Sequence, residues 1–145
     1  MDKTKQKIAF SFLIAIFLAA FEGVVVSTAA PVIVKSLHNF KMISWIFSIF
    51  LLTSAISTPI YGKLADLYGR KRIFMIGISI FLFGSLLAGL SQTMHQLIIF
   101  RGIQGIGAGA IFTIGFTMIG DIFTLEERSI IQGAISTIWG IAGLV

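Results

Sequence analysis

The sequence contains no cysteine, only two histidines and few charged residues. The absence of cysteine excludes disulfides, thiolate metal sites and cysteine nucleophiles among these 145 residues. His38 and His95 lie far apart and the carboxylates are scattered, so no metal site or catalytic constellation of a soluble enzyme is recognisable. Charged residues make up 12% of the chain, about half of what a soluble domain carries, while 57% are hydrophobic. This composition points to a membrane protein that is not an enzyme.

Long apolar runs take the place of the missing polar residues. Four are complete and a fifth begins shortly before the chain ends; they cover residues 8–34, 43–61, 73–90, 97–119 and 129–145. A helix needs about 20 apolar residues to cross the hydrocarbon core, and an open strand would leave backbone groups unpaired in lipid. The sequence therefore predicts an all-α membrane protein with four complete transmembrane helices and a truncated fifth, in one incomplete N-terminal helical domain, 1–145. The connections are short, so sequential helices are expected to pack as antiparallel neighbours.

The net charge of +5 comes from basic side chains whose placement indicates a membrane topology rather than a nucleic-acid site. With the N-terminus in the cytoplasm, eight of these side chains face the cytoplasm, whereas only Lys35 and Lys41 face the outside. The eight are Lys3, Lys5, Lys7, Lys63, Arg70, Lys71, Arg72 and Arg128. This asymmetry follows the positive-inside rule. It predicts a multi-pass plasma-membrane protein with a cytoplasmic N-terminus and no nucleic-acid partner.

The connection between the second and third runs reads Gly-Lys-Leu-Ala-Asp-Leu-Tyr-Gly-Arg-Lys-Arg over residues 62–72. It resembles the G-x-L-a-D-r-x-G-r-k signature of the major facilitator superfamily, in which this loop acts as a conformational latch. The first glycine is expected to let a neighbouring helix approach, the second to reverse the chain, and the aspartate to pair with the arginine four residues on. The alternative is a basic loop that only obeys the topology rule. The latch residues implied by the resemblance are Gly62, Asp66, Gly69, Arg70, Lys71 and Arg72.

The fourth run contains Arg101 and Gln104 followed by a glycine cluster, and it resembles the R-x-x-q-G-x-g-a motif of the same superfamily's fourth helix. Arginine inside an apolar span costs at least about 2.5–3.5 kcal/mol, so we interpret it as functional. The alternative is that Arg101, about 9 Å below the outer end of its span, snorkels to the interface. Gln104, Gly105 and Gly109 are expected to serve helix packing, the two glycines forming a face of small residues.

The first run contains one acidic residue, Glu22, within the stretch Phe-Glu-Gly-Val-Val-Val-Ser-Thr-Ala-Ala-Pro of residues 21–31. This stretch resembles the L-D-x-T-I-V-N-V-A-L-P pattern of drug:H⁺ antiporters, especially the fourteen-span branch, with Glu22 in place of Asp and Ser27 in place of Asn. Burial disfavours the charged form of a lone carboxylate. The resemblance implies that Glu22, tuned by Arg101, exchanges a proton for a cationic substrate. The alternative is a structural acid paired with Arg101.

The fifth run resembles the approach to the antiporter motif of span five, whose Gly-Pro is expected just after residue 145. Its Trp139 is a candidate for lining the substrate cavity, and plain packing is the alternative. A motif that separates exporters from importers is therefore expected beyond this sequence.

These motifs occur in the order and on the helices that the superfamily requires. They imply a secondary active transporter that exports drugs or other lipophilic, cationic small molecules in exchange for protons, without a cofactor. The implied partners are the substrate, protons, the lipid bilayer and a C-terminal half of the same transporter, without which the 145 residues are expected to be inactive. Two alternatives stay open: a superfamily importer or exporter of metabolites or sugars, and a small four-helix membrane subunit that acts through interactions.

Overall fold

The computed structural model describes residues 2–144, almost all of which are helical, and these residues contain no strand. The elements in chain order are α1 (Lys3–Leu37), a short 3₁₀ turn (Phe40–Met42), α2 (Ile43–Tyr68), α3 (Arg70–Gly89), α4 (Met94–Ile122) and α5 (Leu125–Leu144). Helices α1 to α4 are long and apolar enough to cross a membrane. The predicted all-α membrane architecture is therefore confirmed.

The helices extend beyond the apolar runs. The first begins at Lys3, and its 35 residues make it roughly 52 Å long, well over the thickness of the hydrocarbon core of roughly 30 Å. The second continues through Tyr68 and the third begins at Arg70, so of the connection expected over residues 62–72 only Gly69 lies outside a helix. Residues 63–68 contain neither glycine nor proline. The helical hydrogen bonds therefore continue where the apolar side chains stop.

A single non-helical residue, Gly69, joins α2 to α3. Its backbone has φ 93° and ψ 134°, while its N–H still donates to the carbonyl oxygen of Ala65 at 3.0 Å. A residue with a Cβ rarely adopts a positive φ of this kind, so the turn requires glycine. The expectation that the chain reverses direction at this residue agrees with the observed backbone.

The described residues fall into two units, the first formed by 2–28 with 115–144 and the second by 29–114. In the first unit the ring of Phe12 is fully buried and meets Phe116 edge to face at 5.6 Å between centroids. Gly115 lies directly against the Phe12 ring, where a Cβ would clash. The missing side chain on α4 is therefore what admits the phenylalanine.

In the second unit, α4 is packed against both α2 and α3. Of its most apolar 18 residues 61% are buried, compared with 11% for the region of α2 and 28% for α3. A helix surrounded by neighbours has no polar face to segregate from an apolar one. This position explains why polar and apolar residues are interspersed along α4.

Candidate functional site

The side chain of Arg101 is buried inside the second unit, with 2% of its surface exposed. Its Nη1 donates to Oε1 of Gln104 at 2.7 Å, and its guanidinium carbon lies 4.4 Å from the ring centroid of Phe50. The first contact is a charge-assisted hydrogen bond and the second has cation–π geometry. A snorkelling arginine would reach the surface. The burial places the guanidinium among the helices rather than at the protein surface, and the functional role of Arg101 stays a prediction.

The amide of Gln104 is fully buried. Because arginine can only donate, the atom facing it must be the amide oxygen, which turns the Nε2 group away from Arg101. That nitrogen is buried and has no hydrogen-bond partner among the described residues. On the neighbouring helix α3, a Cβ at Gly84 would lie 2.7 Å from the backbone nitrogen of Gln104. The glycine thus lets α3 close over the backbone that carries the arginine's partner.

The glycine face of α4 lies directly on α2. A Cβ on Gly105 would lie 2.5 Å from the carbonyl oxygen of Phe50, and one on Gly109 would lie 2.8 Å from that of Ser54. Ser57 adds a hydrogen bond between the helices, donating to the carbonyl oxygen of Ile106 at 3.3 Å. The close approach at Gly105 holds the Phe50 backbone, and hence its ring, beside Arg101.

A second glycine contact, which sequence analysis missed, joins α4 to α3. A Cβ on Gly107 would lie 2.7 Å from both the carbonyl oxygen of Gly77 and the Cα of Phe81. Residue 107 stands two positions from Gly105, about 200° around the helix, so it faces the opposite neighbour. The alternating glycines at 105, 107 and 109 were the readable signal of a helix packed on two sides.

Glu22 lies near the middle of α1 and is half-buried. It belongs to the first unit, whereas Arg101 belongs to the second. Their pairing, and the role of Glu22 in proton exchange, stay predictions. Trp139 lies on α5 with 48% of its surface exposed, and its role in lining a cavity also stays a prediction.

The latch residues surround the Gly69 turn. Asp66 Oδ1 lies 4.0 Å from Arg70 Nη2, with 74% of the aspartate side chain exposed, so the ion pair spans the turn at the surface. Lys71 and Arg72 are exposed as well. Among residues 2–144 no helix approaches Gly62 closely: a Cβ there would meet Thr113 Cγ2 at 4.0 Å and no other described atom within that distance. A glycine permits a close neighbour but does not supply one.

The turn between α4 and α5 is held by polar contacts that sequence analysis also missed. Glu127 Oε2 accepts the N–H of Thr124 at 3.1 Å, and the N–H of Glu127 lies 3.4 Å from Thr124 Oγ1, which together form a capping box. Lys5 Nζ reaches the same Oε2 at 3.4 Å, and Arg128 Nε donates to the carbonyl oxygen of Phe123 at 2.9 Å. The Thr-x-x-Glu spacing was readable from the sequence.

These contacts perturb the titration of Glu127. The N–H of Thr124 and then the ammonium of Lys5 hold the pKa of Glu127 below its ordinary value, while partial burial opposes them. Because hydrogen bonds and a cation favour the charged carboxylate, the N-terminal end of α1 is tied to α5 by an ionised pair near neutral pH.

Comparison with known proteins connects these features to one family. A family model described as the Major Facilitator Superfamily matches residues 12–145. The chain is 40% identical over 151 aligned residues to Multidrug resistance protein 3 of Bacillus subtilis, an alignment that covers 100% of this chain and 30% of that protein. It is 43% identical over 133 residues to the Multidrug transporter protein MdtP of the same organism, covering 92% of this chain and 25% of the relative. It is 40% identical over 129 residues to Efflux pump dotC of Dothistroma septosporum, covering 89% and 22%. The chain thus spans 22–30% of the length of these relatives.

Proposed function

The chain belongs to the major facilitator superfamily of membrane transporters, and we propose that it forms part of an exporter of drugs or other lipophilic cations. Export is coupled to proton entry across the plasma membrane, and the N-terminus lies in the cytoplasm. The relatives are named as a multidrug resistance protein, a multidrug transporter and an efflux pump, which supports this substrate class. Because the chain spans 22–30% of their length, the proposal concerns a transporter that contains this segment together with a second half.

The observation that carries the proposal is the buried charge of Arg101. A guanidinium within apolar helices is costly, and its contacts with Gln104 and Phe50 hold it in a defined orientation. We assign the carboxylate role to Glu22, which binds either a proton or a cationic substrate. Proton binding from outside then releases the drug, and proton loss to the cytoplasm readies the site for the next cation.

The test uses a full-length transporter that carries this segment, for instance a chimera in which residues 1–145 replace the aligned part of Multidrug resistance protein 3. Glu22→Gln should abolish proton-driven export of a cationic dye while expression stays at the level of the unmutated chimera. Glu22→Asp is the matched control, because it keeps a carboxylate, and it should retain measurable export. Resistance equal to that of the unmutated protein in Glu22→Gln, with the same pH dependence, would show that this carboxylate does not couple transport to protons.

A further inference from the structure

The first two turns of α1 carry three lysines that face two directions. Lys5 points into the first unit, where its Nζ lies 3.4 Å from Glu127 Oε2 and 5.8 Å from the centroid of the Phe123 ring. Lys3 and Lys7 lie one helical turn apart on the other side of α1, and both are exposed. The fold therefore uses one of the lysines as an internal tie and presents the other two together at the surface.

A shallow and largely open groove of about 500 Å³ lies along this exposed side, formed by one face of α1 and lined by Lys3, Gln6, Lys7 and Phe10. The phenylalanine is 66% exposed, as are many apolar side chains of these helices, so in a membrane it is available to contact an acyl chain. Ile14 and Phe17 follow at helical spacing on the same side, with 44% and 43% of their surfaces exposed. The groove thus has two cations and an amide at one end and leads into an apolar stripe.

The position of the groove relative to the lipid bilayer follows from the sequence of α1. Lys7 immediately precedes Ile8, the first residue of the apolar run, and the helix is longer than the hydrocarbon core is thick. The lysine end of the groove therefore lies at the level of the lipid headgroups, and the stripe below it lies beside the acyl chains. A ligand of this side of α1 must be anionic at one end and apolar at the other, and must already be in the membrane.

We propose that Lys3, Lys7 and Phe10 form a binding site for an anionic phospholipid. The phosphate lies between the two ammonium groups, Gln6 donates to a headgroup oxygen, and an acyl chain covers Phe10. Each lysine near an anionic lipid surface contributes roughly a fivefold preference, so the pair predicts roughly 5- to 25-fold selection of an anionic over a zwitterionic lipid. The proposal does not depend on the transported substrate, and it does not depend on the coupling role of Glu22.

The test places a fluorescent reporter in the groove of the 145-residue chain. Phe10→Trp is combined with Trp45→Phe and Trp139→Phe, which replace two tryptophans that are 54% and 48% exposed and so leave the buried core unchanged. The protein is reconstituted with phosphatidylcholine containing a small fraction of either brominated phosphatidylglycerol or brominated phosphatidylcholine. Quenching by the anionic brominated lipid should indicate an association constant roughly 5- to 25-fold higher than that of the zwitterionic one.

Charge variants then separate a site from general surface attraction. Lys3→Gln with Lys7→Gln should bring the ratio of the two association constants close to one, whereas Lys3→Arg with Lys7→Arg should keep it. Lys35→Gln with Lys41→Gln removes the same charge from two exposed lysines elsewhere and should leave the ratio unchanged. Equal quenching by both lipids in the unmutated groove would overturn the proposal. Selectivity that survives the glutamines at positions 3 and 7, or is lost equally in the remote pair, would also overturn it.

Discussion

The most direct test of the packing in the second unit is Gly107→Ala. This change adds one methyl group to α4 where α3 is closest, because the new Cβ would lie 2.7 Å from the Gly77 carbonyl oxygen and from the Phe81 Cα. Both of these atoms are backbone, so no side-chain rotation can relieve the clash and the helices must move apart. Overpacking of this kind costs about 1–3 kcal/mol.

The matched control is Gly62→Ala in α2 of the same unit. Its Cβ would meet only Thr113 Cγ2, at 4.0 Å, which is an ordinary contact. Both substitutions gain about 0.8–1 kcal/mol of helix propensity, so the difference between the two variants isolates the overpacking. The difference of about 1–3 kcal/mol corresponds to roughly a 5- to 150-fold difference in the fraction of molecules whose second unit is transiently open, with its helices apart.

The assay introduces one cysteine into this sequence, which contains none, so that a thiol reagent reports on a single position. Ser57→Cys is nearly isosteric and introduces a thiol at a position that is 6% exposed, between α2 and α4. The rate at which a maleimide modifies this thiol in detergent micelles reports how often the unit opens. Modification should be roughly 5- to 150-fold faster with Gly107→Ala than with Gly62→Ala. Equal rates in the two variants would refute the close contact between α3 and α4 and the reasoning built on it.

Three further predictions concern topology, the latch and acid stability. In intact cells an impermeant thiol reagent should label cysteines at the outer helix ends and connections and not those at the cytoplasmic ones, and labelling of Tyr68→Cys from outside would contradict the proposed orientation. The outer pair is Ser36→Cys and Thr93→Cys, and the inner pair is Tyr68→Cys and Thr124→Cys. In the full transporter, Asp66→Asn should lower turnover more than substrate affinity because it breaks the ion pair across the turn, with Asp2→Asn as the exposed control; unchanged turnover would contradict the latch. The contacts of the Glu127 carboxylate lower its pKa in the folded protein below the ordinary value of 4.5. The ionised carboxylate therefore stabilises the fold fully at pH values above 4.5, and this stabilisation is lost as the pH falls through the folded pKa. Glu127→Gln should remove that part of the acid sensitivity in thermal unfolding measured between about pH 6 and 3, and an identical acid profile in both proteins would contradict it.

Local patterns in the sequence predicted the helices and indicated one helix face suited to close packing. The runs of apolar residues are a property of each segment alone, and the spacing of Gly105 and Gly109 places both on one face whatever lies opposite. The same reasoning failed at Gly62, because a permissive residue does not reveal whether a neighbour is present. The extent of the apolar run also did not predict the last residue of α2, because helical hydrogen bonding continues past the apolar residues to Tyr68.

Contacts between distant parts of the chain were the other missing information. Lys5 and Glu127 are separated by 122 positions, and nothing in either local pattern selects the partner. Only the capping spacing of Thr124 and Glu127 was visible beforehand. The partner of Arg101 was predictable in kind, since a buried arginine needs an acceptor, but Gln104 was assigned to packing alone.

The single-residue turn at Gly69 has a consequence for how the protein is made. The 20 residues of α3 follow α2 directly, and at 5–20 residues per second a ribosome delivers them within about 1–4 s. Closing so short a connection costs little chain entropy, so the pair can form before the next helix is synthesised. The charged residues of the turn belong to the two helix ends that meet there, so no polar loop must cross the bilayer. We therefore expect the second and third helices to enter the membrane as one hairpin, with a turn that, in the proposed orientation, stays on the side from which the chain arrives.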